Sequence, residues 1–119
     1  MHTIIPAMAR KDGKPTVCFG VMGGSYQPMG HAHVLTNMLH YGMDPQAALD
    51  TGRIFWDENQ VVRAEAGIDS QTRAYLRALG YDIEPGGPHG GGQIISIDHE
   101  NGVLCAGSDP RKDGYAAGY

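Results

Sequence analysis

Gly20-Val21-Met22-Gly23-Gly24-Ser25-Tyr26-Gln27-Pro28-Met29-Gly30-His31 is the stretch on which the reading of the whole chain turns. An apolar run, residues 16–22, enters it, and a helical pattern over residues 32–41 leaves it. A Gly pair at a strand-to-helix turn adopts positive φ without strain and leaves its N–H groups uncovered by side chains. N–H groups at a helix start hold negative charge well. The turn therefore reads either as a tight turn with no ligand or as an anion site. Its spacing excludes a P-loop, because no Gly-Lys-Ser/Thr stands at the required distance. It also lacks the Gly-x-Gly-x-x-Gly of a dinucleotide site. The anion that remains is the oxyanion of an acyl-transfer intermediate. Ser25, Tyr26 and Gln27 directly follow the glycines and are candidates to flank a bound amide.

Outward from the turn, Thr16-Val17-Cys18-Phe19-Gly20-Val21 is apolar on both faces, as a covered central strand is. Lys11-Asp12-Gly13-Lys14 is a turn, so this strand pairs with one over residues 3–9, whose Thr3 end lies beside Val21. Val34, Leu35, Met38 and Leu39 recur at helical spacing. Asp44-Pro45 then starts a second helix, with Asp as cap and Pro at the first position. Residues 53–56 and 60–65 read as strands around Asp57-Glu58-Asn59, and Asp69-Ser70 caps a third helix carrying Tyr75, Leu76 and Leu79. Residues 81–84 form a short strand. Residues 85–92 are too glycine-rich to pack alone and read as a loop at a site mouth or a disordered connection. Asn101-Gly102 between two apolar runs is a hairpin signal.

The 119 residues suffice for one small domain, and no internal boundary shows in composition. A formal net charge of −4 with scattered basic residues gives nucleic acid and anionic membranes nothing to bind. No signal peptide or transmembrane span is visible. Cys18 and Cys105 sit in apolar runs and read as buried free thiols. His31 and His33 point about 200° apart on a helix and do not converge on a metal; no metal or organic cofactor is expected. Asp109-Pro110-Arg111 reads as a capped turn with a surface ion pair in preference to a catalytic acid. Arg53 reads as a substrate clamp or as a pin at a helix–strand junction.

Pro6, Gly23-Gly24, Tyr41-Gly42-Met43-Asp44, Ala48-Leu49-Asp50 with Arg53, Gly107-Ser108-Asp109-Pro110-Arg111 and Ala116-Ala117-Gly118-Tyr119 come in one order. That series resembles the C-terminal part of the small subunit of gamma-glutamyltransferases (gamma-glutamyltranspeptidases) over essentially the whole chain. The resemblance implies an α+β, N-terminal-nucleophile hydrolase fold, an αββα sandwich, of which residues 1–119 form a C-terminal portion with a largely antiparallel sheet and packed helices. It implies that Gly23 and Gly24 form the oxyanion hole. It also implies that His2 and Thr3, in place of the family's Ser-Ser before a proline, hold the carboxylate end of a gamma-glutamyl substrate such as glutathione. Thr3 keeps the hydroxyl and His2 does not, which points toward a divergent branch that includes amide acylases of the cephalosporin acylase kind.

The family's nucleophile is a threonine exposed by self-cleavage upstream of the Gly-Gly pair. Its own terminal amine, with a pKa of about 7.7–8.0, serves as base. No residue of this sequence matches it. The expectation is a fragment of an enzyme, inactive alone, that self-associates or docks onto the remainder of its parent. The alternative is a non-catalytic scaffold or a ligand- or partner-binding module.

Overall fold

A computed structural model describes residues 3–57 and 59–119. In chain order the elements are β1 (Ala7–Lys11), β2 (Lys14–Met22), a 3-10 turn (Gly24–Tyr26), α1 (Gln27–Leu39), α2 (Pro45–Asp50), β3 (Ile54–Trp56), β4 (Val62–Ala64), α3 (Ser70–Ala78), β5 (Ile83–Pro85), β6 (Gly91–Asp98) and β7 (Val103–Ser108). They divide into two compact units where composition shows no break. One holds the residues up to Asp50 and from Gly90 onward, and the other is Thr51–His89.

The first unit is a four-stranded antiparallel sheet in the order β1-β2-β6-β7. β2 is central, as its two apolar faces imply. Alternation puts Val17, Phe19 and Val21 on one face, and all three are buried. Helices α1 and α2 cover that face. The Phe19 and His31 rings lie 5.1 Å apart, and a Cβ added at Gly30 would stand 2.7 Å from Val21 Cγ1 and 2.8 Å from Tyr26 Cε1. Helix and strand touch this closely because residue 30 has no side chain.

α1 begins at Gln27, five residues before the periodicity alone places it. Pro28 falls in its first turn, where a missing N–H removes no helical bond. Asp44 caps α2 by accepting the Ala47 N–H at 2.8 Å, and Ala48 and Leu49 are fully buried.

The other face of this sheet carries Cys18, Met22 and Ile95 and is partly open. Both cysteines are free, but Cys105 on β7 is exposed and Cys18 only half-buried, so the expectation of two buried thiols does not hold. Nor do residues 3–6 extend β1. They are irregular, and side chains hold them in place of a ladder.

The second unit is a three-stranded sheet, with β3 antiparallel and β5 parallel to β4. Val62, Ala64 and Ile83 form its core, with Ile54, Ile68 and Leu76 packed against them. Asp69 caps α3, accepting the Thr72 N–H at 2.8 Å. Arg53 is fully buried here. Its N–H donates to Glu65 Oε2 at 3.0 Å and its guanidinium to the His89 carbonyl at 2.6 Å, while Glu65 Oε1 accepts the His89 N–H at 2.9 Å. Arg53 thus pins the chain end to end within this unit; it does not reach outward as a clamp.

Candidate active site

The site is built where β2 stops. Beyond Met22 the chain turns through Gly23, at φ 136° and ψ 28°, and Gly24, at φ 58°. The first of these values is closed to side-chain-bearing residues on steric grounds. A Cβ on Gly23 would also press on Gly90 Cα at 3.2 Å and Tyr26 Cδ1 at 3.3 Å. A Cβ on Gly24 would meet nothing within 4 Å. Gly23 is therefore wedged between the glycine-rich loop and the Tyr26 ring, whereas Gly24 faces open space.

Peptide orientation follows from the bonds around the turn. The Gly23 carbonyl accepts the Tyr26 N–H at 3.1 Å. The peptide joining Gly23 to Gly24 is trans, so its N–H, that of Gly24, points away from the helix that holds its carbonyl. The Gly24 carbonyl is tied down by the backbone N–H of Gln27 and by its side chain. Among the described residues, the N–H groups of Gly23 and Gly24 have no hydrogen-bond acceptor.

The structure brings Thr3 to this turn. Gln27 Nε2 donates to the Thr3 carbonyl at 2.7 Å and to the Gly24 carbonyl at 3.2 Å. Gln27 Oε1 accepts the Ile5 N–H at 3.3 Å. His31 completes the tether. Its Nε2 lies 2.8 Å from the Ile5 carbonyl and its Nδ1 2.6 Å from the Gln27 carbonyl.

Ser25 and the Thr3 side chain are exposed. Tyr26 and Gln27 are only 5% and 2% exposed, so what they do for the site they do from beneath it. His2 lies outside the described residues. The sequence puts Gly30 and His31 in the decisive stretch and Gly90 in a loop read as a site mouth or a disordered connection, but assigns none of them a role beside the glycine pair. The histidine offered no signal, whereas the loop glycines did, through their density.

Asp109 is fully buried. It accepts the Gly92 N–H at 2.8 Å and the Arg111 N–H at 3.0 Å, and Arg111 donates to it at 3.2 Å and to the Leu49 carbonyl at 2.8 Å. The expected surface ion pair is in fact internal and ties β6, α2 and the chain after β7 together. Among the described residues no cluster of His, Cys, Asp or Glu suits a metal, and no helix is long and apolar enough to cross a membrane.

Solved structures share this fold. A gamma-glutamyltranspeptidase of Helicobacter pylori superposes with a TM-score of 0.85 at 23% identity, covering 94% of this chain and 62% of that one. A cephalosporin acylase of Bacillus halodurans gives a TM-score of 0.92 at 40% identity, over 99% of this chain and 23% of that one. The fold is that of the N-terminal-nucleophile hydrolases, to which the first unit contributes an antiparallel sheet and the helices packed on it.

The matching family is narrower. Residues 1–119 match the gamma-glutamyltranspeptidase family throughout, and the chain belongs to it. Its relatives include a glutathione hydrolase-like proenzyme of Bacillus subtilis, 37% identical over 98% of this chain, and an oxamate amidohydrolase proenzyme of Klebsiella pneumoniae, 31% identical over 99%. The chain spans 24% of the length of each.

Proposed function

We propose that these residues form one wall of the acyl site in a longer amide-cleaving enzyme. The observation that carries this reading is the turn itself: two glycines at positive φ, one facing open space, with N–H groups that no described residue accepts and the Thr3 segment beside them. A threonine outside residues 1–119 attacks the amide carbonyl. The carbonyl π electrons move to oxygen, and the Gly23 and Gly24 N–H groups stabilise that oxyanion. The amine leaves with a proton, and water or an acceptor amine then releases the acyl group. Thr3, with His2 before it, and the Ser25 side hold the polar end of the acyl group. The open sheet face with Met22 and Ile95 receives the remainder of the parent protein.

The substrate of first choice is a gamma-glutamyl amide such as glutathione, in line with the family and the glutathione hydrolase-like relative. A second reading, a related amide acylase, is favoured by the 40% identity to cephalosporin acylase and by His2-Thr3 in the substrate segment. These relatives are named for substrates that differ in the acyl group, and an oxyanion hole is the element that serves them all. Assays of the full-length protein with a gamma-glutamyl anilide, a cephalosporin side-chain amide and oxamate decide between the readings. Turnover of the anilide supports the first, and turnover of the cephalosporin alone supports the second. Residues 1–119 by themselves turn over none. Activity of the isolated chain on any of the three overturns the assignment of the nucleophile to a residue outside it.

A further inference from the structure

We propose that Gln27 is a positioning residue that locks the Thr3 segment to the Gly-Gly turn, so that the acyl group's polar end and its carbonyl are held at a fixed separation. The inference rests on the proposed acyl site and assigns a role to a side chain that does not face the substrate. Its basis is the inventory of one carboxamide. Gln27 is 2% exposed, and its planar head serves three backbone groups from two chain segments: the carbonyls of Thr3 and Gly24 through Nε2, and the Ile5 N–H through Oε1.

Residues 3–6 belong to no strand. Their placement at the turn rests on this amide and on His31, whose Nε2 lies 2.8 Å from the Ile5 carbonyl. Only a primary amide offers two donors and an acceptor on one head. A flipped amide would set oxygen against two carbonyls, so the orientation is determined by its neighbours. Asn is one methylene shorter and does not span both segments. Glu keeps the shape and reverses the chemistry, placing a carboxylate against two carbonyl oxygens.

The test uses the full-length enzyme with Gln27→Met and Gln27→Glu, a gamma-glutamyl anilide and the cephalosporin side-chain amide, and amide hydrogen exchange of residues 3–6. For whichever amide the wild type turns over, both variants raise KM by about tenfold or more, because a buried polar contact is lost, while kcat falls less. Exchange at Ile5 quickens. Burial raises a carboxyl pKa, so the KM defect of Gln27→Glu shrinks as pH falls from about 8 to about 5. This is read against the wild-type profile over the same pH range.

A purely structural role would lower thermal stability, leave KM of the folded fraction within about twofold of wild type, and give Gln27→Glu no relief at low pH. That result, or unchanged exchange at Ile5, overturns the proposal. Gly24→Val separates the two levels. If it abolishes turnover while Gln27→Met keeps wild-type KM, the positioning role alone falls. If Gly24→Val keeps wild-type kcat, the oxyanion assignment falls and the positioning role with it.

Discussion

β2 has a left-handed turn at each end, and the two are built differently. At its start Asp12 and Gly13, at φ 51° and 77°, close the hairpin to β1. At its end Gly23 and Gly24, at φ 136° and 58°, open it into a helix. A non-glycine residue holds one of the two left-handed positions in the hairpin, so positive φ alone does not call for a Gly pair. The far turn needs both for other reasons. Gly23 is pressed between Gly90 and Tyr26, and Gly24, at φ 58°, has open space where a side chain would stand. One turn uses glycine for direction, the other, in the function proposed above, for access.

Substitutions separate those two uses. The largest effect belongs to Gly24→Val in the full-length enzyme. A β-branched residue is strained at φ 58° and its side chain enters the open space at the turn, so the N–H is displaced and crowded and kcat falls by about 10²–10³, the cost of an oxyanion donor, with circular dichroism unchanged; near-normal kcat in a folded variant would reduce this turn to the status of the hairpin. Next comes Gly30→Ala, which forces a methyl group onto Val21 and Tyr26. Overpacking of this kind destabilises by about 1–3 kcal/mol, measured by denaturant unfolding, and it displaces α1 and so weakens activity indirectly.

Gly13→Ala has φ 77° and free space for its methyl. It lowers stability by about 1 kcal/mol and leaves kcat and KM at their wild-type values; a loss of activity there would erase the contrast between the two ends.

The smallest effect lies at a third turn. Asp98 accepts the N–H groups of Glu100 and Asn101 and the Asn101 amide, at 2.9, 3.0 and 2.7 Å. The Asn101 side-chain bond, then the Asn101 N–H, hold its pKa below the ordinary 3.8. A lowered folded pKa stabilises above the unfolded value and is lost as pH falls through the folded one. The stability difference between wild type and Asp98→Asn is therefore constant from neutral pH down to about 4 and shrinks below it. Chemical denaturation across that range reads it.

Local signals carried most elements. The apolar run of β2, the Asp44-Pro45 and Asp69-Ser70 caps, and Asn101-Gly102 each act within a few residues, and each element stands where its signal falls. The start of α1 was hidden because Pro28 and Gly30 look like breakers in isolation. Pro28 is harmless in a first turn, and Gly30 answers to Val21 across space. Residues 3–5 have strand-forming side chains, but the partners that hold them are 22 to 26 positions away.

The burial of Arg53 and Asp109 was equally invisible. Their contacts are long-range, reaching 36 positions from Arg53 to His89 and 17 from Gly92 to Asp109. Of the candidate site, the glycine turn was legible and the carboxamide that ties it to residues 3–5 was not, because its orientation depends on chain segments that only folding brings together.

The sheet register also bears on how the molecule forms. β1, β2, α1 and α2 lie within the first 50 residues, yet the second edge of β2 pairs with β6, Val17 with Ser96 and Met22 with Gly91. During synthesis that edge stays bare until the whole of Thr51–His89 has emerged. Non-local pairing of this kind slows folding, since the loop must close before its contacts reward it. Residues 51–89 have their own core, and folding first they would shorten the slack between β2 and β6. The Gly-Gly turn sits at the end of the strand that waits longest for its partner, so the candidate site is completed late, and an exposed strand edge is available for wrong pairings until then.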